Sequence, residues 1–189
     1  MWSCMGRKDR SMIIMIGGIP CSGKSSLTRS IINSMGSGEM LEPMKLFTCQ
    51  KHDDILVIGR YEEGQDFGGT DRLSYGTINK FRDFINQEVP KYKHLVVEGD
   101  RFFRSVDIEW VLDNHEAICY ILTVSAEEEK RRHLERQDTQ TEKWLQGRRS
   151  QISNIQTNFA LMGRIEIRQN ETMEDSENLK SEILKWLKT

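Results

Sequence analysis

The 189-residue sequence lacks several features that would place it in familiar classes. Its longest apolar runs are only as long as a strand, so the sequence predicts no membrane-spanning segment and no membrane partner. Its four cysteines are scattered without a CxxC pair, which indicates free thiols in a cytoplasm and not a disulfide framework. The four histidines are isolated as well, which disfavours a structural zinc site.

Proline is scarce, and the three prolines do not cluster into a linker. The net charge of -2 indicates no overall preference for nucleic acid, although it leaves room for a local basic groove. Residues 1–10 lack the apolar stretch of a secretory signal and are predicted to be a frayed leader. Residues 11–189 are predicted to form a single domain.

Strand-like runs alternate with amphipathic segments along the chain. Strands joined by helices need crossover connections, so the sheet should be largely parallel and covered on both faces. The predicted fold class is therefore α/β, a three-layer αβα sandwich with its ligand at the carboxyl ends of the strands. Strands are predicted at 11–16, 45–49, 55–59, 94–97, 117–124 and 164–168. Helices are predicted at 25–35, 74–89, 105–115 and 176–187, after a capping box at 125–128, and from a second box at 139–142 toward residue 161.

One segment satisfies the pattern GxxxxGK[ST] of a P-loop, between a predicted strand and a predicted helix. Its glycines let backbone N–H groups point inward at phosphate oxygens, and the helix N-terminus adds positive charge. Lys24 would reach the β- and γ-phosphates, and the Ser25 hydroxyl would ligate Mg²⁺. The expected cofactors are a nucleoside triphosphate, taken as ATP, and Mg²⁺. The residues expected to bind the nucleotide are Gly18, Ile19, Pro20, Cys21, Ser22, Gly23, Lys24, Ser25 and Ser26.

Two acids follow the apolar strand predicted at 94–97. Glu98 and Asp100 are two residues apart, so both side chains point to the same side if the strand continues. P-loop enzymes hold magnesium through a carboxylate at the end of a neighbouring strand. Both acids are candidate metal ligands with Ser25, and Asp100 is also a candidate catalytic residue. The alternative is a solvated acidic turn, and the pattern leaves open which acid meets the metal and which the acceptor.

The pattern NKxD, which specifies guanine, is absent, and this disfavours a translation-type GTPase. Residues 126–150 are rich in arginine and are predicted to form a helical lid that neutralises the transferring phosphoryl group and excludes water. Arg132 and Arg136 are its candidate catalytic residues, together with Lys24. The alternative is a solvated helix face with pairs such as Glu128 and Arg132.

The stretch GGTDRLS at 68–74 marks a predicted acceptor side, within an insertion placed at about 45–75. Asp71 is a candidate general base, unless it is only a helix N-cap, and Arg72 is a candidate phosphate ligand. The segment at 101–104 interleaves arginine and phenylalanine. Arg101, Phe103 and Arg104 are therefore candidate substrate-binding residues, although packing of Phe103 in the core is equally compatible.

Three stretches together resemble one family of P-loop kinases. They are Ile58-Gly59-Arg60-Tyr61, then GGTDRLS at 68–74, then Val97-Glu98-Gly99-Asp100-Arg101-Phe102, and the similarity spans residues 13–150. The family comprises kinases of bacterial viruses with hypermodified thymines, which phosphorylate 5-hydroxymethyluracil in DNA. The resemblance implies ATP, magnesium and a DNA acceptor, in the cytoplasm of the host cell.

Three functions from different classes are compatible with these residues. The leading one is an ATP-dependent phosphotransferase acting on 5-hydroxymethyluracil in DNA during viral DNA hypermodification. The second is a small-molecule kinase for a nucleoside or nucleotide, and the third is a P-loop ATPase that is not a kinase. An ATPase needs no acceptor, and DNA binding should weaken steeply with salt.

Overall fold

The structure is a computed structural model that describes residues 11–61, 68–137 and 140–188. Its strands are β1 (Met12–Gly18), β2 (Glu39–Met44), β3 (Phe47–His52), β4 (Ile55–Ile58), β5 (His94–Glu98), β6 (Glu116–Thr123) and β7 (Glu166–Gln169). Its α-helices are α1 (Lys24–Ser34), α2 (Phe81–Glu88), α3 (Ser105–Asn114), α4 (Ala126–Glu135), α5 (Glu142–Gln156) and α6 (Met173–Leu187).

All seven strands belong to one sheet in the order β2-β3-β4-β5-β1-β6-β7. The five strands from β4 to β7 in this order are parallel, whereas β2, β3 and β4 pair in antiparallel fashion. The central neighbours β1 and β5 are buried along their whole length, as expected for parallel strands covered on both faces. The register pairs Ile16 with Glu98, so the loops after these two strands leave the sheet side by side.

Successive residues of β1 enter two separate cores. Ile13 and Met15 pack in one core with residues of α2, α3 and α5. Ile14 and Ile16 pack in the other with residues of α1 and α6. The predicted α/β class with a mostly parallel sheet is thus confirmed, and helices on both faces are compatible with the predicted three-layer sandwich.

Several predicted boundaries differ from the structure. The edge strand β2 has no counterpart among the predicted strands, and the helix predicted at 74–89 begins as a 3₁₀-helix, Tyr75–Lys80, before α2. Ser125 caps α4, but its own N–H donates to Glu171 and not to Glu128, so the predicted capping box is only half formed. Thr141 caps α5; the Thr139 of the predicted box lies outside the described residues. The reciprocal box is at Thr172 and Asp175, before α6.

The leader predicted at residues 1–10 lies outside the described residues, whereas 45–75 contributes β3 and β4 to the sheet. Among the described residues, Cys21, Cys49 and Cys119 are buried and form no disulfide, and burial raises the pKa of Cys49 to about 12. Among the described helices, none has the length and apolar character needed to cross a bilayer.

Candidate active site

The β1–α1 loop (residues 19–23) owes its path to two glycines. A Cβ at Gly18 would collide with the backbone oxygen of Leu122 in β6, and Gly23 has a φ of 84°, which a side chain would strain. No side chain caps the N-terminus of α1 and its first turn holds no acid, whereas α4, α5 and α6 begin with hydroxyl caps. An uncapped helix N-terminus after a curled loop can receive an anion on its backbone N–H groups.

Lys24, the first residue of α1, directs its ammonium group back over this loop. Its Nζ donates to the backbone oxygens of Gly18 at 3.1 Å and Ile19 at 3.0 Å. It also lies 3.8 Å from Asp100 Oδ1, and both side chains are largely buried. A positive charge is thereby held between the loop and the carboxylate that follows β5.

Glu98 ends β5 and is fully buried beneath the loop. Ser25 Oγ donates to its Oε1 at 3.1 Å, and the Tyr61 hydroxyl donates to its Oε2 at 2.9 Å. Gly69, with a φ of 73°, makes this approach feasible, because a Cβ there would collide with the Glu98 carboxyl group. No role is predicted for Tyr61 from the sequence, since a lone tyrosine after a strand carries no signal of its partner.

The charge of Glu98 is disfavoured in this position. Burial raises the pKa of its carboxyl group to about 8, with a further contribution from the charge of Asp71, and Lys24 opposes the shift. Burial and the same carboxyl group raise the pKa of Tyr61 well above its usual value, so its hydroxyl remains a hydrogen-bond donor. A divalent cation at Ser25 would favour the ionised form of Glu98.

Asp71 caps the turn that follows β5. Its Oδ1 accepts the N–H groups of Asp100 at 2.9 Å and Arg101 at 3.1 Å. The 3₁₀-helix Tyr75–Lys80 has Ser74 as its N-cap, so the alternative prediction that Asp71 is only a helix N-cap is wrong. Although part of the residue is exposed, burial of the carboxyl group and then the charge of Asp100 raise the pKa of Asp71 to about 6. A carboxyl group with a pKa near neutrality suits a general base.

The arginines predicted to act on phosphate occupy different surroundings. Arg132 donates to the backbone oxygens of Cys21 at 3.1 Å, Asn170 at 3.0 Å and Glu171 at 2.8 Å, and it also pairs with Glu128 as the alternative interpretation expected. It ties α4 to the β1–α1 loop, and its predicted contact with a transferring phosphoryl group stays a prediction. Arg136 is exposed, and its guanidinium lies 3.8 Å from the Cys21 sulfur.

Lys24, Ser25, Asp71 and Asp100 open into one cavity of about 720 Å³. Three of the predicted substrate-binding residues, Arg72, Arg101 and Arg104, lie on its wall, and so does Arg136 of the predicted lid. A smaller cavity of about 330 Å³ lies on the other side of Arg136, beside Gly23 and Ser26. The remaining residues that line the larger cavity are Pro20, Cys21, Tyr75, Ile78, Gln140, Trp144, Arg148 and Gln151.

The predicted substrate contact of Phe103 is wrong. Phe103 is 1% exposed, and its ring packs so closely on Gly17 that a Cβ there would collide with it. Phe102 is fully buried and stacks on Phe81 at 4.3 Å. The aromatic residues that do line the cavity are Tyr75 and Trp144, which the sequence analysis missed because their positions in helical segments did not separate them from core residues.

The donors at this site fit Mg²⁺ better than they fit a metal ion whose ligands all come from the protein. Within the described ranges, no group of three or more His, Cys, Asp or Glu side chains is placed to hold a metal ion. Magnesium, however, is commonly bound through one or two protein oxygens together with substrate phosphates and water. Ser25 and the adjacent Glu98, with Asp100 nearby, supply hard oxygen donors of that kind.

Comparisons with protein-family models and with curated proteins identify no relative of this chain. The assignment of its function therefore depends on the geometry of the site and on the sequence patterns.

Proposed function

We propose that this protein is a P-loop kinase that uses ATP and Mg²⁺ to phosphorylate the hydroxymethyl group of 5-hydroxymethyluracil in DNA. The observation that carries the proposal is the meeting of Lys24, Ser25, Asp71 and Asp100 in one cavity. A lysine over the β1–α1 loop, a hydroxyl for magnesium and a carboxyl with a raised pKa are groups that suit phosphoryl transfer to an alcohol. The DNA acceptor is supported by the resemblance at 68–74 and 97–102.

The residues of the site have distinct roles in this reaction. MgATP supplies the transferable phosphoryl group when bound. Lys24 neutralises charge on the β- and γ-phosphates, and Ser25, steadied by Glu98, provides a metal ligand. Asp71 accepts the proton of the acceptor hydroxyl as the hydroxyl oxygen bonds to the γ-phosphorus, while the bond from that phosphorus to the β–γ bridging oxygen breaks and ADP leaves. Arg136, on the wall of the same cavity, adds positive charge and helps to exclude water.

The direct test is to follow label from γ-labelled ATP in the presence of Mg²⁺. DNA containing 5-hydroxymethyluracil should take up label, while thymine DNA and DNA with a free 5′-hydroxyl should not. Labelling of 5′ ends would indicate a polynucleotide kinase. Labelling of free nucleosides or nucleotides alone would indicate a small-molecule kinase, and release of phosphate without any labelled acceptor would indicate an ATPase.

Asp71→Asn should lower turnover by roughly 10²–10⁴ because it removes the proton acceptor while keeping the shape of the side chain. In the unsubstituted protein, kcat/KM should also fall below about pH 6, where Asp71 becomes protonated. The measurement is a pH–rate profile of acceptor labelling, with ATP binding as the control. If Asp100→Asn shows this loss and Asp71→Asn does not, Asp100 is the general base.

A further inference from the structure

Two arginines of the larger cavity each cover an aromatic ring of the same cavity. The guanidinium carbon of Arg101 lies 4.0 Å from the centre of the Tyr75 ring, and that of Arg148 lies 5.7 Å from the Trp144 ring. Tyr75 is 79% exposed and Trp144 is 41% exposed. Planar surfaces, both aromatic and cationic, are therefore available on the wall that also holds Lys24.

Both guanidinium groups have a buried N–H that lacks an acceptor among the described residues. These are Nη1 of Arg101 and Nε of Arg148. The other donors of Arg101 are used, since Nε donates to Thr70 O at 3.2 Å and Nη2 to Asp71 O at 2.7 Å, and these bonds fix its plane. Because these two N–H groups are buried, they do not face a ligand; a ligand meets only the guanidinium surface that is exposed at the cavity, where the positive charge favours a ligand that brings acceptor oxygens.

The charge of the cavity points to the same kind of ligand. Among the described residues, its lining carries six basic side chains and two acidic ones. One of the six, Arg104, is neutralised by the buried Asp107. A wall with more basic than acidic side chains attracts anionic ligands. It would attract an acceptor that carries its own phosphate as well as MgATP, whereas it would not attract a neutral nucleoside in this way.

We propose that the pairs Tyr75–Arg101 and Trp144–Arg148 form the acceptor-binding surface, and that the acceptor is a phosphate-bearing nucleotide with an unpaired base. The inference rests on the proposed function for the position of the phosphoryl group beside Lys24. Proteins hold unpaired bases by stacking them on aromatic rings and guanidinium planes. A base paired within a duplex does not offer its faces in this way, so the enzyme takes single-stranded or extruded nucleotides.

The test is a binding titration without ATP, so that it does not depend on phosphoryl transfer. The probe is a fluorescently labelled single-stranded 12-nucleotide DNA containing one 5-hydroxymethyluracil, followed by anisotropy. Tyr75→Ala and Trp144→Ala should each weaken binding by about 5- to 100-fold, as loss of a base-stacking ring does. Tyr75→Phe and Trp144→Phe keep a ring and should restore most of the affinity.

Phe159→Ala is the matched control, because Phe159 is 89% exposed and lies outside both cavities. It should leave DNA binding unchanged. Arg148→Gln should lower the slope of the logarithm of the binding constant against the logarithm of salt concentration by about one, as loss of one phosphate contact does. If both ring-to-alanine variants bind the probe within twofold of the unsubstituted protein, the stacking surface is refuted, even where labelled DNA shows that the kinase assignment is correct.

Competitors separate the two features of the acceptor. The 5′-monophosphate of 5-hydroxymethyldeoxyuridine should displace the probe at a concentration at least tenfold lower than the free nucleoside does, because of the cationic lining. Equal displacement by the nucleoside refutes the requirement for phosphate. A matched duplex that binds more tightly than both the single strand and a duplex with 5-hydroxymethyluracil in a mismatch refutes the unpaired base. Weaker binding of the alanine variants without any DNA labelling would support the surface while removing the proposed reaction.

Discussion

Lys24→Ala should lower the turnover of phosphoryl transfer by about a thousandfold, which corresponds to several kcal/mol of transition-state stabilisation. The Lys24 ammonium lies over the β1–α1 loop and 3.8 Å from Asp100, where the charge of the transferring group would develop. The loss should fall mainly on kcat, since the β1–α1 loop and the uncapped N-terminus of α1 would still offer backbone N–H groups to a phosphate. The measurement is single-turnover labelling of the acceptor at saturating ATP.

Lys143→Ala is a suitable control because Lys143 is exposed on α5 and does not line either cavity. It should retain normal turnover. Lys24→Met keeps most of the apolar stem and should show the same loss as Lys24→Ala, which separates the role of charge from that of packing. A folded Lys24→Ala variant with near-normal turnover would exclude a P-loop role for this segment.

The central fold could be predicted because its signals are local. Apolar runs such as β1 and β5 are buried on both faces, and amphipathic helices must cover them. The edge strand β2 escaped prediction because Glu39–Met44 has no fully buried residue and thus shows no clear apolar alternation. Its pairing with β3 depends on hydrogen bonds to a neighbouring strand, which no local pattern reports.

The candidate site was predictable where the chemistry is carried by consecutive residues. Lys24 and Ser25 follow from one motif, and Glu98 with Asp100 follows from the end of a strand. Tyr61 contacts a residue 37 positions away, so its role as a hydrogen-bond donor to Glu98 appears only in the folded chain.

The burial of Phe103 could not be separated from a surface role by sequence, since apolar residues beside arginines are compatible with either. The same uncertainty concealed Tyr75 and Trp144, which the fold exposes at the cavity. The contact of Arg132 was hidden from the sequence for a related reason. Its hydrogen bond to Cys21 O joins residues 111 positions apart and ties a helix to the β1–α1 loop.

Glu98→Gln should stabilise the fold while lowering activity. The folded-state pKa of Glu98 is raised from 4.5 to about 8 by burial and by Asp71, so folding at pH 7 requires the uptake of a proton. The associated loss of stability is absent below about pH 4.5 and grows as the pH rises through 8. Glutamine cannot ionise, so the variant avoids this loss and should gain on the order of 3 kcal/mol in free energy of unfolding at pH 7.

The hydrogen bonds of Glu98 can be kept in this variant. The glutamine oxygen can accept from one of the Ser25 and Tyr61 hydroxyls, and its amide can donate to the other. Turnover should nevertheless fall by roughly 10², because the negative charge beside Ser25, the proposed metal ligand, is lost.

The measurement for Glu98→Gln is urea unfolding without Mg²⁺ at pH 5, 7 and 8.5, with the exposed Glu116→Gln as a control that should show no pH-dependent gain. The advantage of Glu98→Gln should be small at pH 5 and largest at pH 8.5. A variant less stable than the unsubstituted protein at pH 8.5 would mean that neighbouring donors hold Glu98 in its charged form. Excess Mg²⁺ with a non-hydrolysable ATP analogue should narrow the difference, because the cation stabilises only the carboxylate.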